Sequence, residues 1–240
     1  MNGFESYGIR IPGVDPAELT GWLIVIEGTD GVGRTTQVNR LRTHLERLGY
    51  AVAETGLNRS DLASRGLRRA KQGNTLGSNA FNLFYATAFA DQLENQIVPM
   101  LRAGFVMLTD RYLYSLMARA IVRGADPEWI RRVLSFSLVP DAVYYLRIGV
   151  PDLVPRMLQA GGFDYWESGM DLPMGVDLYE SFIHYQQRVI SELDTLAQEY
   201  RFQTLDATRT IDDLSAELCA DVSRLLQAGR RSRREEPSIP

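Results

Sequence analysis

The sequence predicts an α/β fold built on a five-stranded parallel sheet with helices on both faces. Three observations carry this expectation. Short apolar runs alternate along the chain with amphipathic stretches of helical period, the order that a parallel sheet with crossover helices requires. The first run, Trp22-Leu23-Ile24-Val25-Ile26, is apolar without interruption, as suits a strand covered on both faces. A glycine-rich segment follows it directly and opens a helix, and such strand-to-helix turns are where open α/β sheets bind ligands.

The elements follow in order. Residues 1–20 contain Gly3, Gly8, Gly13, Pro12 and Pro16 without a clear period and read as a loosely ordered arm. After the first strand, Val38, Leu41, Leu45 and Leu48 mark a helix that Gly49 stops. Ala51-Val52-Ala53 is a weaker second strand, and the Arg-rich stretch 56–74 reads as a loop with a short helix. Phe81, Tyr85, Phe89, Leu93, Ile97 and Leu101 recur at steps of four, predicting one long helix ended by Gly104. Residues 105–109 form the third strand and 112–122 a helix. Asp126 can cap a further helix that holds Pro127 in its first turn, where a missing N–H costs nothing. Residues 142–146 are the fourth strand, and 160–175 form a flexible, glycine-containing loop. Leu178, Phe182, Tyr185, Val189, Leu193 and Leu196 mark another long helix, followed by a fifth strand at 202–205. Thr210 and Asp213 resemble a capping box that starts a last helix with Ile211, Leu214, Leu218, Val222 and Leu225 on one side. One domain therefore covers 21–228. The tail 229–240 reads as disordered, with Arg230, Arg231, Arg233 and Arg234 offset by Glu235 and Glu236.

Composition narrows the class. The chain has 240 residues, a net charge of −4 and 45% hydrophobic residues, enough for one proper core. Mild acidity argues against a nucleic-acid partner, which leaves a basic footprint, but not against a small polyanion held in a locally positive pocket. The single cysteine, Cys219, excludes an intrachain disulfide and a Cys-rich metal site and reads as a buried thiol. No apolar run approaches the ~20 residues of a membrane span and no secretory signal opens the chain, so no membrane partner and a cytoplasmic location are expected. His44 and His184 sit mid-helix as ordinary surface or packing residues.

The glycine-rich segment Gly28-Thr29-Asp30-Gly31-Val32-Gly33-Arg34-Thr35-Thr36 fits the phosphate-loop spacing G-x-x-x-x-G-K-[ST] at every fixed position but one. Its glycines let backbone N–H groups approach an anion, and the helix N-terminus adds positive dipole. Gly28, Gly31, Val32, Gly33, Arg34, Thr35 and Thr36 are accordingly candidates for holding the phosphates of a nucleotide, with the Thr35 hydroxyl placed for Mg²⁺. Arg34 stands where lysine is expected. A planar fork replaces a point charge, and the side chain either neutralises phosphate or serves as a structural salt bridge. The third strand ends in Asp110-Arg111-Tyr112 and can end beside the first in such a sheet. Asp110 would hold a Mg²⁺ water and Arg111 a second phosphate. A surface Asp–Arg pair is the alternative.

With these residues the chain resembles the thymidylate kinase family of nucleoside monophosphate kinases, which has a P-loop nucleotide-kinase fold. The resemblance covers roughly 21–225 and rests on Ile26-Glu27-Gly28-Thr29-Asp30-Gly31-Val32-Gly33, Asp110-Arg111-Tyr112, the acidic pair in Asp164-Tyr165-Trp166-Glu167, and Leu205-Asp206-Ala207-Thr208. It implies that Asp206, Ala207 and Thr208 lie near the donor adenine, that Asp30 contacts the acceptor sugar or a magnesium water, and that Arg111 and Arg59 hold the acceptor phosphate. It implies Tyr85 against the acceptor base, and Asp164 and Glu167 at the acceptor in a lid over 161–175. From the residues themselves, Arg59 also reads as a helix-start charge, Tyr85 as a core aromatic, Asp164 and Glu167 as a solvated acidic loop, and Trp129 and Trp166 as packing residues.

The sequence departs from that family at several places. Phe89 and Leu116 replace polar residues that meet the base. Tyr165 stands where a lid arginine is common, and the lid contains no Arg or Lys. The resemblance implies an ATP- and Mg²⁺-dependent kinase in which Arg34, Asp30 and Arg111 serve the transfer, acting on a nucleoside monophosphate, dTMP first among them, and working as a homodimer. The departures keep open a kinase for another (deoxy)nucleotide, or a catalytically weak nucleotide-binding sensor or scaffold.

Overall fold

The structure, a computed structural model, describes residues 4–56 and 76–235. Five strands form one parallel sheet: β1 (Trp22–Gly28), β2 (Val52–Gly56), β3 (Val106–Asp110), β4 (Ala142–Arg147) and β5 (Gln203–Asp206), in the order β2-β3-β1-β4-β5. Helices α1 (Arg34–Arg47), α2 (Ser78–Gln92), α3 (Val98–Arg102), α4 (Leu113–Val122), α5 (Pro127–Val133), α6 (Val150–Gln159), α7 (Leu178–Glu199) and α8 (Ile211–Glu235) connect and flank them.

The two-residue period of β1 divides the core. Leu23 and Val25 face one side with Met107, Tyr112 and Leu193; Ile24 and Ile26 face the other with Leu41, Leu45 and Leu218. All four β1 residues are fully buried, as the uninterrupted apolar run requires. The parallel register then fixes the functional edge. Ile26 lies opposite Asp110, Asp110 opposite Gly56, Gly28 opposite Leu146, and Arg147 opposite Asp206, so every strand ends along one rim.

The expected α/β class and its five strands are present, with strand limits displaced by one to three residues. Several other expectations change. The single helix expected over 76–103 breaks at a π turn, Leu93–Ile97. Pro99 lies one turn on and has no N–H to offer the carbonyl four residues back. Helix α6 was not expected, because Pro151 and Pro155 mask its period. Pro151 falls in the first turn, where a missing N–H costs nothing, whereas Pro155 lies inside the helix and leaves the Pro151 carbonyl without its intrahelical N–H partner. Asp126 accepts from the Trp129 N–H. The Thr210 hydroxyl accepts from the Asp213 N–H at 3.2 Å as in a capping box, but it donates to the Asp213 carboxylate at 2.7 Å, where a full capping box would use the Thr210 backbone N–H.

The ends also differ from expectation. Residues 4–20 are not loose. Ser6 bridges Leu138, the Tyr7 N–H donates to Ser137 O at 3.0 Å, and Ile11 and Leu19 are buried. The Tyr7 hydroxyl lies 2.6 Å from that of Tyr114, and the Tyr7 ring meets Tyr200 edge-on. The last helix runs to Glu235 instead of stopping before the basic tail. Cys219 is a free, partly buried thiol whose pKa burial raises, rather than a fully buried one. No described helix is long and apolar enough to cross a membrane.

Candidate active site

The loop at 28–36 leaves β1 at the rim and enters α1. Gly33, the residue before the helix, has φ +102° and gives the first N–H groups of α1 no side-chain cap, leaving them for a ligand. Gly31 has φ +74°, and a Cβ there would collide with the Sδ of Met157 on α6. Gly31→Ala should therefore cost about 1–3 kcal/mol of loop strain, with a Tm lower by several degrees and weaker nucleotide binding. Thermal melts with and without nucleotide check this. An unchanged Tm with unchanged affinity would mean that the loop tolerates the methyl group.

Arg34 folds back onto its own loop and is 8% exposed. Its Nε donates to Asp110 Oδ1 at 2.7 Å, and its Nη1 donates to Gly28 O at 2.5 Å and also to Thr29 O. The other oxygen of Asp110 accepts from the Thr35 hydroxyl at 2.7 Å. The register that sets β3 beside β1 thus joins three residues that are up to 76 positions apart in sequence. Thr35 and Asp110 form a hydroxyl–carboxylate pair at the loop mouth. That donor set fits a magnesium ion bound by one carboxylate, waters and substrate phosphates. Among the described residues no cluster of three or more acidic, His or Cys groups offers another metal site.

Arg111 follows Asp110 with φ +72°, unusual for a residue with a side chain, and its N–H donates to Ile26 O at 2.9 Å. Its guanidinium pairs with Asp30 Oδ1, while Arg119 of α4 pairs with Asp30 Oδ2. Arg34 Nη2 lies 3.9 Å from the same carboxylate. Burial, and then repulsion by Arg119, pushes the Arg111 pKa down to about 9, so it remains a cation at neutral pH. Beneath it lies Glu27, wholly buried. One carboxylate oxygen accepts from the N–H groups of Tyr112 and Ser115 at 2.8 and 3.3 Å, and the other from the Ser115 hydroxyl at 2.5 Å. Burial raises its pKa. Helix α4 has no cap of its own, and this strand residue supplies one.

Next to Arg111 opens a cleft lined by Phe81, Asn82, Tyr85, Leu116, Arg119, Arg123, Asp164, Trp166 and Glu167. Tyr85 belongs to this cleft wall. Trp166, read from the sequence as packing, stacks on Phe81 with centroids 5.5 Å apart and 18° between planes, while Trp129 packs against the core. Asp164 Oδ1 accepts from the N–H groups of Trp166 and Glu167 at 2.8 and 3.2 Å, so it shapes the turn as well as facing the cleft. The segment expected as a flexible lid is tied down at several points. Arg123 grips Asp171 at 2.9 and 3.2 Å, donates to Trp166 O at 3.0 Å, and reaches the Tyr185 hydroxyl. Ser181 and Gln186 hold Ser168 O and Glu167 O at 2.8 and 2.7 Å.

On the other side of the loop, Arg156 of α6 donates to Val32 O at 3.3 Å and to Ala207 O at 2.7 Å. It ties the phosphate loop to the segment Asp206-Ala207-Thr208, where the N–H and hydroxyl of Thr208 close on Asp206 and lower its pKa.

The structure therefore brings Asp30, Arg34, Thr35, Asp110 and Arg111 to one rim, with Gly28, Gly31, Val32, Gly33 and Thr36 around them. Tyr85, Asp164 and Glu167 line the adjoining cleft. Arg59 lies outside the described residues. Phe89, at the position where the family resemblance implies a polar residue, does not line the cleft but packs in the core against Tyr112 and Phe136. Leu116 does line the cleft. Glu27, Arg119, Arg123 and Arg156 were not anticipated. A signal existed for two of them: Arg119 and Arg123 are the only charged residues between 113 and 123, four apart on an apolar helix. Glu27 stands out locally as a charge at the end of an apolar strand, but its partners, like those of Arg156, are remote in sequence, so its role was not marked.

Comparison with known proteins gives concordant matches. The family model described as "Thymidylate kinase" matches residues 26–218. A probable thymidylate kinase 2 of Saccharolobus solfataricus is 34% identical over 202 residues, covering 83% of this chain and 94% of the relative. A thymidylate kinase of Exiguobacterium sibiricum is 30% identical, covering 89% and 99%. One from Bifidobacterium longum subsp. infantis is 32% identical, covering 87% and 89%.

Proposed function

The chain belongs to the thymidylate kinase family, and from that premise we propose that it transfers the γ-phosphoryl group of ATP to dTMP, with Mg²⁺ bound at Thr35 and Asp110. The observation that carries the reading is the adjacency of Asp110 and Arg111. Asp110 ties Arg34 and Thr35 at the phosphate loop, and the next residue turns into the cleft. One strand end thus serves two sites, as a transfer between two phosphates requires.

In such a transfer the protein contributes position and charge rather than covalent chemistry. The loop N–H groups and the α1 N-terminus hold the donor phosphates. Arg34, freed from the loop carbonyls, faces the transferred group, and Arg111 holds the acceptor phosphate with Asp30 setting its position. A bound magnesium ion would neutralise phosphate charge. Tyr85, Phe81 and Trp166 supply aromatic faces for the base, and Asp164 and Glu167 border it on the lid side. The segment 206–208, tied to the loop by Arg156, borders the donor base. Arg59 is assigned to the acceptor phosphate on the resemblance alone. The same premise implies a cytoplasmic homodimer, which analytical ultracentrifugation of the purified protein addresses.

An ADP-release assay with ATP, Mg²⁺ and a panel of monophosphates tests the proposal. Turnover should be fastest with dTMP. A second reading, with another monophosphate as acceptor, is favoured by Leu116, which puts an apolar side chain on the cleft wall in place of a hydrogen-bonding one. Selective turnover of dCMP, dGMP or dUMP would establish it. ATP binding without turnover of any acceptor would leave a nucleotide-binding sensor.

A further inference from the structure

The cleft holds more positive charge than one phosphate-gripping arginine accounts for. Arg111 and Arg119 bind the two oxygens of one carboxylate, Asp30, from opposite sides. Arg111 is buried at 13% side-chain exposure, and Arg119 is 26% exposed. Two guanidinium groups held this close repel one another, and the repulsion contributes to the depressed pKa of Arg111. A single carboxylate balances only one of them. Glu27 acts on Arg111 from below, but its oxygens are spent on the α4 N-terminus. Glu167 acts on Arg111 from the lid, and Asp164 lies on the same wall.

Helix α4 shows which of its side chains is left for a ligand. Ser115, Arg119 and Arg123 lie four apart on one face. Ser115 is committed to Glu27, and Arg123 to Asp171, Tyr185 and the lid backbone. Arg119 keeps a cleft-lining position, with Asp30 as its ion-pair partner. The lid itself, 161–175, contributes no basic side chain.

We infer that Arg119 is a second acceptor-phosphate ligand, which forms with Arg111 a two-arginine clamp for a phosphate dianion and supplies from α4 the cation that the lid lacks. The inference rests on the reading of this cleft as the acceptor site. Asp30 holds the two arginines apart and oriented until the phosphate arrives, and the dianion then satisfies both. Lysine at 119 would keep the charge but lose the planar fork.

Calorimetric titration of dTMP and of thymidine into wild type, Arg119→Gln and Arg119→Lys tests this, with ADP present to fill the phosphate loop. Loss of one charge-assisted contact should weaken dTMP binding roughly 10- to 100-fold in Arg119→Gln, with thymidine binding within about twofold and Arg119→Lys intermediate. A parallel titration of inorganic phosphate should show the same loss, whatever base the cleft takes. If the wild type binds neither dTMP nor thymidine, the acceptor reading fails, and the clamp is judged on inorganic phosphate alone. The clamp is overturned if dTMP and phosphate affinities are unchanged, or if thymidine binding falls as far as dTMP binding. Either result would leave Arg119 as a brace for Asp30. If Arg119→Gln does not fold, Arg119→Lys carries the comparison.

Discussion

Arg34→Ala should lower kcat about 10³-fold, the scale on which phosphoryl-transfer enzymes depend on an arginine that meets the transition state. The acceptor KM should stay within about threefold, because the interaction lost is one made as the phosphoryl group moves. In the structure Arg34 spends its donors on Asp110, Gly28 O and Thr29 O. Under the proposed function, the phosphates of ATP would offer better partners. Phosphate oxygens carry more charge than backbone carbonyls, so the two Nη1 contacts can exchange for phosphate contacts while Nε stays on Asp110. Removing the side chain deletes that cation where no lid arginine replaces it. Arg34→Lys separates the two roles of the residue: a lysine keeps the charge but loses the planar fork that meets Asp110 and the loop together. Steady-state kinetics and thermal melts decide. A fall in Tm with kcat reduced less than tenfold would make Arg34 a structural salt bridge.

Glu27→Ala should destabilise the fold by about 3–5 kcal/mol, the scale for breaking a buried hydrogen-bonded carboxylate network. It should lower Tm by roughly 10 °C. The side chain is fully buried and accepts three hydrogen bonds from Tyr112 and Ser115. Alanine would leave two backbone N–H groups and a hydroxyl without partners at the start of α4, and would remove the negative end that the helix dipole favours there. The same turn holds Arg111 at φ +72°, so acceptor binding should weaken together with stability. Urea unfolding followed by far-ultraviolet circular dichroism measures the first effect, and dTMP titration the second. A loss below about 1 kcal/mol, within the range of an ordinary cap substitution, would show that water or a neighbouring group takes over the cap.

Much of the site was legible because the motif that carries it is local. The run 28–36 combines strand, glycines, hydroxyl and helix within a few residues, and each has a backbone reason. The fold class was legible from the alternation of apolar runs with helical periods. The departures have equally specific causes. Pro151 and Pro155 hid α6: Pro151 occupies a first-turn position that a helix tolerates, but Pro155 sits in the interior, where packing and not local propensity keeps the helix intact. Residues 4–20 carry no period because they bind as irregular chain, through Tyr7, Ile11 and Leu19, to surfaces formed by distant segments. Phe89, matched by position to a residue that meets a base, faces the core on α2, because a helical step of four selects a face but does not say what that face meets.

The sequence by itself determined that a parallel α/β sheet presents a phosphate loop at 28–36 and that another of its strands ends in Asp110 and Arg111. Spacing suffices there, since backbone turns and strand ends follow from local residue types. Only the tertiary structure decided that Arg34 closes on Asp110 and its own loop, that Glu27 caps α4, and that Arg119 shares Asp30 with Arg111. Each of these joins side chains whose separation in sequence bears no relation to their separation in space. Such contacts are set by sheet register and helix docking, which periodicity does not encode.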